Sequence, residues 1–129
     1  MSPRLIAAPG VAVFIPNARG TEHLVAIIAA VSTTGDIALV SVTTDRKTRQ
    51  TDRACFLDDQ DHPFLRHRSY ALYAEAFIST VAQLQQQLDA GAIRLAATFE
   101  ASVTARLAQG AITSPRTPRG VRDFVKEHR

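Results

Sequence analysis

The amino-acid sequence predicts an α+β protein, mainly β, in which a small and strongly curved antiparallel sheet comes first and helices follow. Apolar, β-branched runs separated by turn residues fill the chain up to Ser79, a pattern that favours strands. Beyond that residue, apolar side chains recur every three or four positions, which favours amphipathic helices. A run of strands followed by a run of helices is typical of the α+β class.

Five segments have the composition of strands. They lie at Val11–Ile15, His23–Val31, Ile37–Thr44, Ala54–Leu57 and Arg68–Ser79. The second and third are apolar without alternation, as expected of strands that are buried on both faces. The residues between them, Ser32–Asp36, include Gly35 and predict the turn of a hairpin. Polar loops, Asp45–Arg53 and Asp58–Phe64, flank the fourth segment.

Three helices are predicted after the last strand from their start and stop signals. Ser79 or Thr80 can cap the first, which ends at Gly91. Thr98 can cap the second, which ends at Gly110. A short basic amphipathic helix completes the chain. No linker or internal repeat divides the sequence, so residues 1–129 are expected to form one domain.

The charge balance permits nucleic-acid binding without requiring it. The formal net charge is +3, and lysine is found only at Lys47 and Lys126 among the 15 basic Lys and Arg residues. Arginine binds phosphate bidentately through its planar guanidinium group, although an ordinary solvated surface explains the same balance. The single cysteine, Cys55, cannot form an internal disulfide. No apolar run is long enough to cross a bilayer, so no membrane association and a cytoplasmic location are expected.

The densest group of reactive side chains lies in Asp61–Ala76, DHPFLRHRSYALYAEA. RNA cleavage through the 2′-hydroxyl needs a base, an acid and groups that stabilise charge on the phosphate. His62 and His67 can exchange protons, and Arg66 can stabilise the charge. Thr44 at the end of a strand can contact the scissile phosphate. These four are the candidate catalytic residues.

A second set of residues is predicted to bind the substrate. Single-stranded RNA needs cationic groups for its phosphates and flat groups for its bases. We expect Thr44–Arg53 and Asp61–Ser69 to line one positively charged groove, in which the histidines, Phe64 and an adjacent tyrosine supply flat groups. The candidate substrate-binding residues are Thr43, Arg46, Arg49, Arg53, Arg68, Ser69, Tyr70 and His23.

The same side chains admit other interpretations. His62 and His67 are of metal-ligand type, but Pro63 and a loop separate them, so nothing fixes both rings on one face. The chain has neither a zinc-finger spacing nor a glycine-rich phosphate loop, and no metal or cofactor is predicted. The remaining alternative is that these residues cap loops and face water.

Several of these segments resemble the PemK/MazF-like growth-inhibitor toxins of bacterial toxin–antitoxin modules, of the CcdB/PemK superfamily. In chain order they are IALVSVTTDR, HPFLRHRSYALYAEAFIST and VAQLQQQL. The residues that match the family pattern are Val40–Thr44, Ser69 with Tyr70, and Ile78–Thr80. The strand HLVAIIAAV also occupies a place where the family has a strand. The resemblance covers about Val11 to Gln109.

The resemblance implies an SH3-like β-barrel with C-terminal helices, a homodimer, a cognate antitoxin and metal-independent cleavage of single-stranded mRNA. The two strongly apolar strands agree with a dimer. Cleaving members of the family commonly carry an arginine where this chain has His23. Some carry an Arg-x-Asp pair where it has Ala71 and Tyr73. Residues 66–68 are then expected to compensate.

Two further functions remain open at this point. One is a non-catalytic module of the same architecture, which binds nucleic acid or a protein. The other is a structural or interaction protein with an obligate partner and no affinity for RNA.

Overall fold

The computed structural model describes residues 2–129 and shows an α+β fold. Its strands are β1 Ala12–Pro16, β2 Glu22–Ala30, β3 Asp36–Thr44, β4 Phe56–Leu57, β5 Ser69–Ala71, β6 Phe77–Thr80 and β7 Arg94–Leu95. Its helices are α1 Val81–Asp89, α2 Ala101–Thr113 and α3 Arg119–His128. The predicted class is confirmed, with all strands except β7 preceding the first helix.

The strands form one antiparallel sheet in the order β4-β5-β3-β2-β1-β7, and β6 pairs with β3 beside β5. Strands β4 and β7 are the two ends of this sheet. Within residues 2–129 no pairing joins these ends. The sheet is therefore open and is not closed into a barrel.

Both faces of the sheet are covered over its centre, because alternate residues of a strand point to opposite faces. One face, the α2 face, packs against α2 and α3 through residues such as Leu24, Val40, Leu107 and Val125. The other face, the α1 face, packs against α1 and the N-terminal segment through residues such as Leu5, Val25, Leu39 and Leu84. Strands β2 and β3 are buried on both faces, as predicted. Helices of the same chain shield these two strands from solvent, so their burial does not require a second copy of the protein.

The single strand predicted at Arg68–Ser79 is wrong. The chain pairs with β3 as β5, leaves the sheet in a 3₁₀ turn at Tyr73–Glu75, and returns as β6. The break follows from Tyr73, whose ring is fully buried and whose hydroxyl donates to the Leu107 carbonyl at 2.7 Å. Reaching the α2 helix requires the backbone to turn out of the sheet.

The predicted capping residue and terminal glycine give the correct ends for α1 but not for α2. The Thr80 hydroxyl accepts from the Gln83 amide at 3.1 Å, and Gly91 after the helix has a φ of 75°, as expected of an N-cap and a C-terminal glycine. Helix α2 begins at Ala101 rather than after Thr98, and it runs on to Thr113 through Gly110.

The remaining differences concern the shortest and last elements. The final helix is present at Arg119–His128, as predicted. Strand β7 was not predicted, because two residues are too few to show a period. It pairs with β1 and is the last strand at that edge of the sheet.

Candidate nucleic-acid interface

Four neighbouring strands place a row of side chains on the α1 face of the sheet. Tyr70 of β5 pairs directly with Thr43 of β3 and with Phe56 of β4. The β2–β3 register ends with Leu24 opposite Val42, and one further residue on each strand places His23 next to Thr43 on the other face. Directly paired residues of antiparallel strands point to the same face. Three predicted binding residues therefore share this row with Phe56, which was not predicted.

Two arginines lie over the Phe56 ring. The guanidinium carbon of Arg68 is 3.8 Å from the ring centroid, and that of Arg53 is 5.7 Å away. The Arg68 side chain remains 57% exposed. A guanidinium group that a cation–π contact holds over an aromatic ring keeps its other side open to solvent.

The loop between β3 and β4 buries its acids and exposes its cations. Asp45 accepts from the Lys47 amide at 2.8 Å and from the Thr51 hydroxyl at 3.0 Å, and it lies 3.7 Å from Arg68 Nε. The Lys47 amide is the main cause of the lowered pKa of Asp45, which the Thr51 hydroxyl and the Arg68 charge lower further against a cost of desolvation. Only 6% of the Asp45 side chain is exposed.

The second acid of this loop, Asp52, is also turned inward. It is buried, and it accepts from the Ser114 hydroxyl at 2.6 Å and from the Ala54 amide at 3.0 Å. The exposed charges of the loop are therefore Arg46, Lys47, Arg49 and Arg53. We call Phe56, Arg68 and these four cations the Phe56 surface.

The loop is fixed from the other side by the α2–α3 link. Arg116 donates to the backbone carbonyls of Arg49, at 3.2 Å, and of Gln50. A cleft of about 510 Å³ separates loop and link, and it is lined by Arg49, Arg53 and Arg116. Arg116 is a further cation beside the predicted groove, and its distance along the chain hid it from sequence reasoning.

Near the start of the reactive stretch Asp61–Ala76, His62 and Phe64 pack against the rest of the protein. His62 is buried; its Nε2 donates to the Ala97 carbonyl at 2.7 Å, and its Nδ1 accepts from the Phe64 amide at 3.1 Å. Both ring nitrogens are occupied, so His62 cannot exchange a proton with RNA on the surface. Its assignment as a catalytic residue does not fit this geometry. Phe64 packs edge-on against Phe14, with 4.7 Å between the centroids.

The next three residues, Arg66, His67 and Arg68, are exposed. Ser69 is buried, and its hydroxyl donates to the His67 carbonyl at 3.0 Å, so it holds the backbone rather than a substrate. Of the two predicted proton-transfer residues, only His67 is accessible. Arg68 joins the Phe56 surface through its contact with the Phe56 ring. Arg66 is exposed two residues earlier in the chain and is not one of the residues that define this surface.

Strand pleating separates the two predicted threonines. Thr43 lies on the α1 face, and Thr44 points to the opposite face. Tyr70 is only 8% exposed, so it supports Phe56 and offers little of its own ring. The predicted groove therefore has Thr43 and Phe56 where Thr44 and Tyr70 were expected.

Phe56 could have been found from the alternation of its segment. Cys55 and Leu57 are buried in the core on the α2 face, and the residue between them must point the other way. Burial raises the pKa of the Cys55 thiol, an effect that outweighs the charge of Arg106. This thiol is an inert core group.

The ion pair of Asp61 with Arg106 makes stability depend on pH. Burial of Asp61 opposes its ionisation, but hydrogen bonds from Arg106 at 2.8 Å and from the Asp58 amide at 3.0 Å outweigh it and lower its pKa. Because the pKa of Asp61 is lower in the folded than in the unfolded state, its ionisation stabilises the fold at pH values above the ordinary aspartate pKa of about 4. That contribution is lost as the pH falls through the folded pKa.

We therefore expect the urea midpoint of the wild type to fall more between about pH 7 and about pH 3 than that of Asp61→Asn. Asp59→Asn, at an exposed site in the same loop, is the control and should keep the wild-type dependence. An equal fall in all three proteins would show that the pair does not contribute.

Comparison of the chain with protein-family models, with curated proteins and with solved structures finds no match. Among residues 2–129, no helix has both the length and the apolar character needed to cross a membrane. The described part of the chain also brings together no group of three metal-ligating His, Cys, Asp or Glu side chains.

Proposed function

We propose that this protein acts on single-stranded RNA, which it binds at the Phe56 surface, and that it is a metal-independent endoribonuclease of the PemK/MazF-like toxin type. The observation that carries this proposal is the separation of charge in the β3–β4 loop. Both acids, Asp45 and Asp52, are turned inward as hydrogen-bond acceptors, and the cations are left exposed.

A flexible single strand suits this surface better than a duplex. The cations supply contacts to phosphates, which dominate the affinity for nucleic acids. The guanidinium plane of Arg68 on Phe56 supplies a platform on which an unpaired base can stack. Bases inside a duplex do not offer their faces in this way.

The cleavage step assigned to this site is transesterification by the 2′-hydroxyl. His67 takes the 2′-hydroxyl proton, the 2′-oxygen forms a bond to phosphorus, and the bond from phosphorus to the 5′-oxygen breaks. The leaving oxygen takes a proton from solvent, and the products are a 2′,3′-cyclic phosphate and a 5′-hydroxyl. Arg68 and the Thr43 hydroxyl stabilise the negative charge on the phosphate oxygens.

The resemblance to PemK/MazF-like toxins supplies the rest of the proposal. We propose from it that the sheet is related to an SH3-like barrel and that the protein forms a homodimer. We also propose that a cognate antitoxin protein binds it and that it is located in the cytoplasm. The apolar cores of β2 and β3 do not support the dimer, because helices of the same chain cover them.

A second candidate is RNA binding without cleavage. It is favoured by His62, whose two ring nitrogens are both held by backbone groups. This leaves His67 as the one accessible histidine of the reactive stretch, and a single histidine cannot act as base and acid at the same time.

The proposal is tested by incubating purified protein with long single-stranded RNA in the presence of a chelator. We expect cleavage products with 2′,3′-cyclic phosphate ends, and their loss in His67→Ala, because that imidazole takes the proton. His128→Ala, on the last helix, is the matched control and should cleave as the wild type does. Binding without cleavage would establish the second candidate, and absence of binding would refute both.

A further inference from the structure

A groove of about 230 Å³ opens on the α1 face of the sheet, in the region that α1 leaves uncovered. Its apolar lining comes from Ile15, Val25, Leu72 and Phe77. Phe77 is 39% exposed, so part of its ring is accessible from solvent at the edge of this depression. We call this depression the His23 groove, after the histidine that also lines it.

The hydrogen-bonding state of His23 is fixed by its neighbour. Asn17 Oδ1 accepts from the amides of Arg19 at 2.9 Å and Thr21 at 3.0 Å, which sets the orientation of the Asn17 amide. Its Nδ2 then donates to His23 Nε2 at 3.2 Å. In the neutral ring the proton must lie on Nδ1, so Nδ1 of His23 is a hydrogen-bond donor.

The polar groups of the groove match a base better than a phosphate. The charged side chain that lines it is Glu75, and a carboxylate repels phosphate. Apolar walls with a few polar groups are the usual surroundings of a flat ligand. Unstacked RNA bases are held in this way, by stacking on their faces and by hydrogen bonds on their Watson–Crick edges.

The groove adjoins the Phe56 surface on the same face of the sheet. His23 is on β2 and Phe56 is on β4, with β3 and β5 between them. Three strand spacings of about 4.8 Å separate the two sites by roughly 14 Å. A short length of extended RNA bound at the Phe56 surface reaches the groove.

We propose that the His23 groove binds one unstacked guanine of the RNA, an inference that rests on the proposed function. The Watson–Crick edge of guanine presents an acceptor, O6, beside two donors, N1–H and N2–H. The His23 Nδ1–H donates to O6, and the Glu75 carboxylate accepts from both donors. Uracil, cytosine and adenine each place an acceptor where the carboxylate needs a donor.

The test measures binding of two labelled oligomers by fluorescence anisotropy: an oligouridylate and the same oligomer with one guanosine at its centre. A two-donor contact to a base is worth about 1–3 kcal/mol, so the guanosine oligomer should bind the wild type at least about fivefold tighter. Glu75→Ala should remove this preference. Inosine in place of guanosine, which lacks the N2 amino group, should lose part of it.

Asp59→Ala is the matched control, because it removes one exposed negative charge away from the groove. Both variants gain affinity for RNA in general through their extra positive charge, so the ratio between the two oligomers is the informative quantity. The control should keep the wild-type ratio. Equal binding of both oligomers by the wild type overturns the guanine site and leaves the proposed function standing. A failure to bind either oligomer refutes the proposed function, and the guanine site with it.

Discussion

Gly110→Ala is expected to destabilise the protein strongly, although it adds only one methyl group. A Cβ atom at this position would lie 2.8 Å from Tyr73 Cζ and closer still to the hydroxyl. Tyr73 cannot swing away, because its ring is fully buried and its hydroxyl donates to the Leu107 carbonyl. Overpacking a core costs about 1–3 kcal/mol, and the loss of the hydrogen bond adds about 1 kcal/mol.

Thermal unfolding measures this effect, and the combined cost corresponds to a fall in Tm of roughly 10 °C or more. Gly120→Ala is the control, because it makes the same substitution in helix α3 with no atom within 4 Å of the new Cβ. Alanine is a better helix former than glycine by about 0.5–1 kcal/mol, so the control should stabilise the protein. Equal effects of the two substitutions would contradict the packing of Tyr73 against α2.

Removing the tyrosine hydroxyl separates the cost of overpacking from the cost of the lost hydrogen bond. Tyr73→Phe alone should cost about 1 kcal/mol, because it removes one hydrogen bond. In the Gly110→Ala background the same change should cost less or should stabilise, since the hydroxyl is the closest atom to the new Cβ. Such non-additivity is the expected sign of two residues in direct contact.

The same contact explains where sequence reasoning about the fold failed. Glycine ended the predicted α2 helix at Gly110, and β-forming residues continued a strand through Tyr73. Both predictions followed local propensity. The two residues pack against each other across 37 positions of the chain, and that contact overrides both local preferences. The strands β1–β3 and helix α1 were predictable because their signals lie within each segment. These signals are the apolar runs of the strands and the capping residues of the helix.

Prediction of the site failed for a related reason. The sequence identified the exposed cations correctly, because arginines of polar loops usually face water. It could not show that His62 fills its hydrogen-bonding capacity with the Ala97 carbonyl, since that partner lies 35 residues away. It also proposed Tyr70 and did not consider Phe56, which strand alternation places on the α1 face once the burial of Cys55 and Leu57 is known.

Arg53→Ala/Arg68→Ala is expected to have the largest effect on RNA binding. These two guanidinium groups lie over one ring, at 5.7 Å and 3.8 Å from its centroid, and the double substitution removes both the cations and the stacking platform. Each lost phosphate contact lowers the slope of log affinity against log salt by about 0.7 for a single strand. We expect the slope to fall by about 1.4 in total and the affinity at low salt to fall roughly tenfold or more.

A charge-matched control separates a local contact from general attraction. Arg4→Ala/Arg119→Ala also removes two exposed arginines, one in the N-terminal segment and one at the start of α3. Long-range attraction depends on net charge, so both double variants lose some affinity for that reason alone. Only direct phosphate contacts change the salt slope by the release of bound counterions. The control should therefore keep nearly the wild-type slope. If both double variants lose slope and affinity equally, RNA is attracted by the whole protein, and the Phe56 surface is not its binding site.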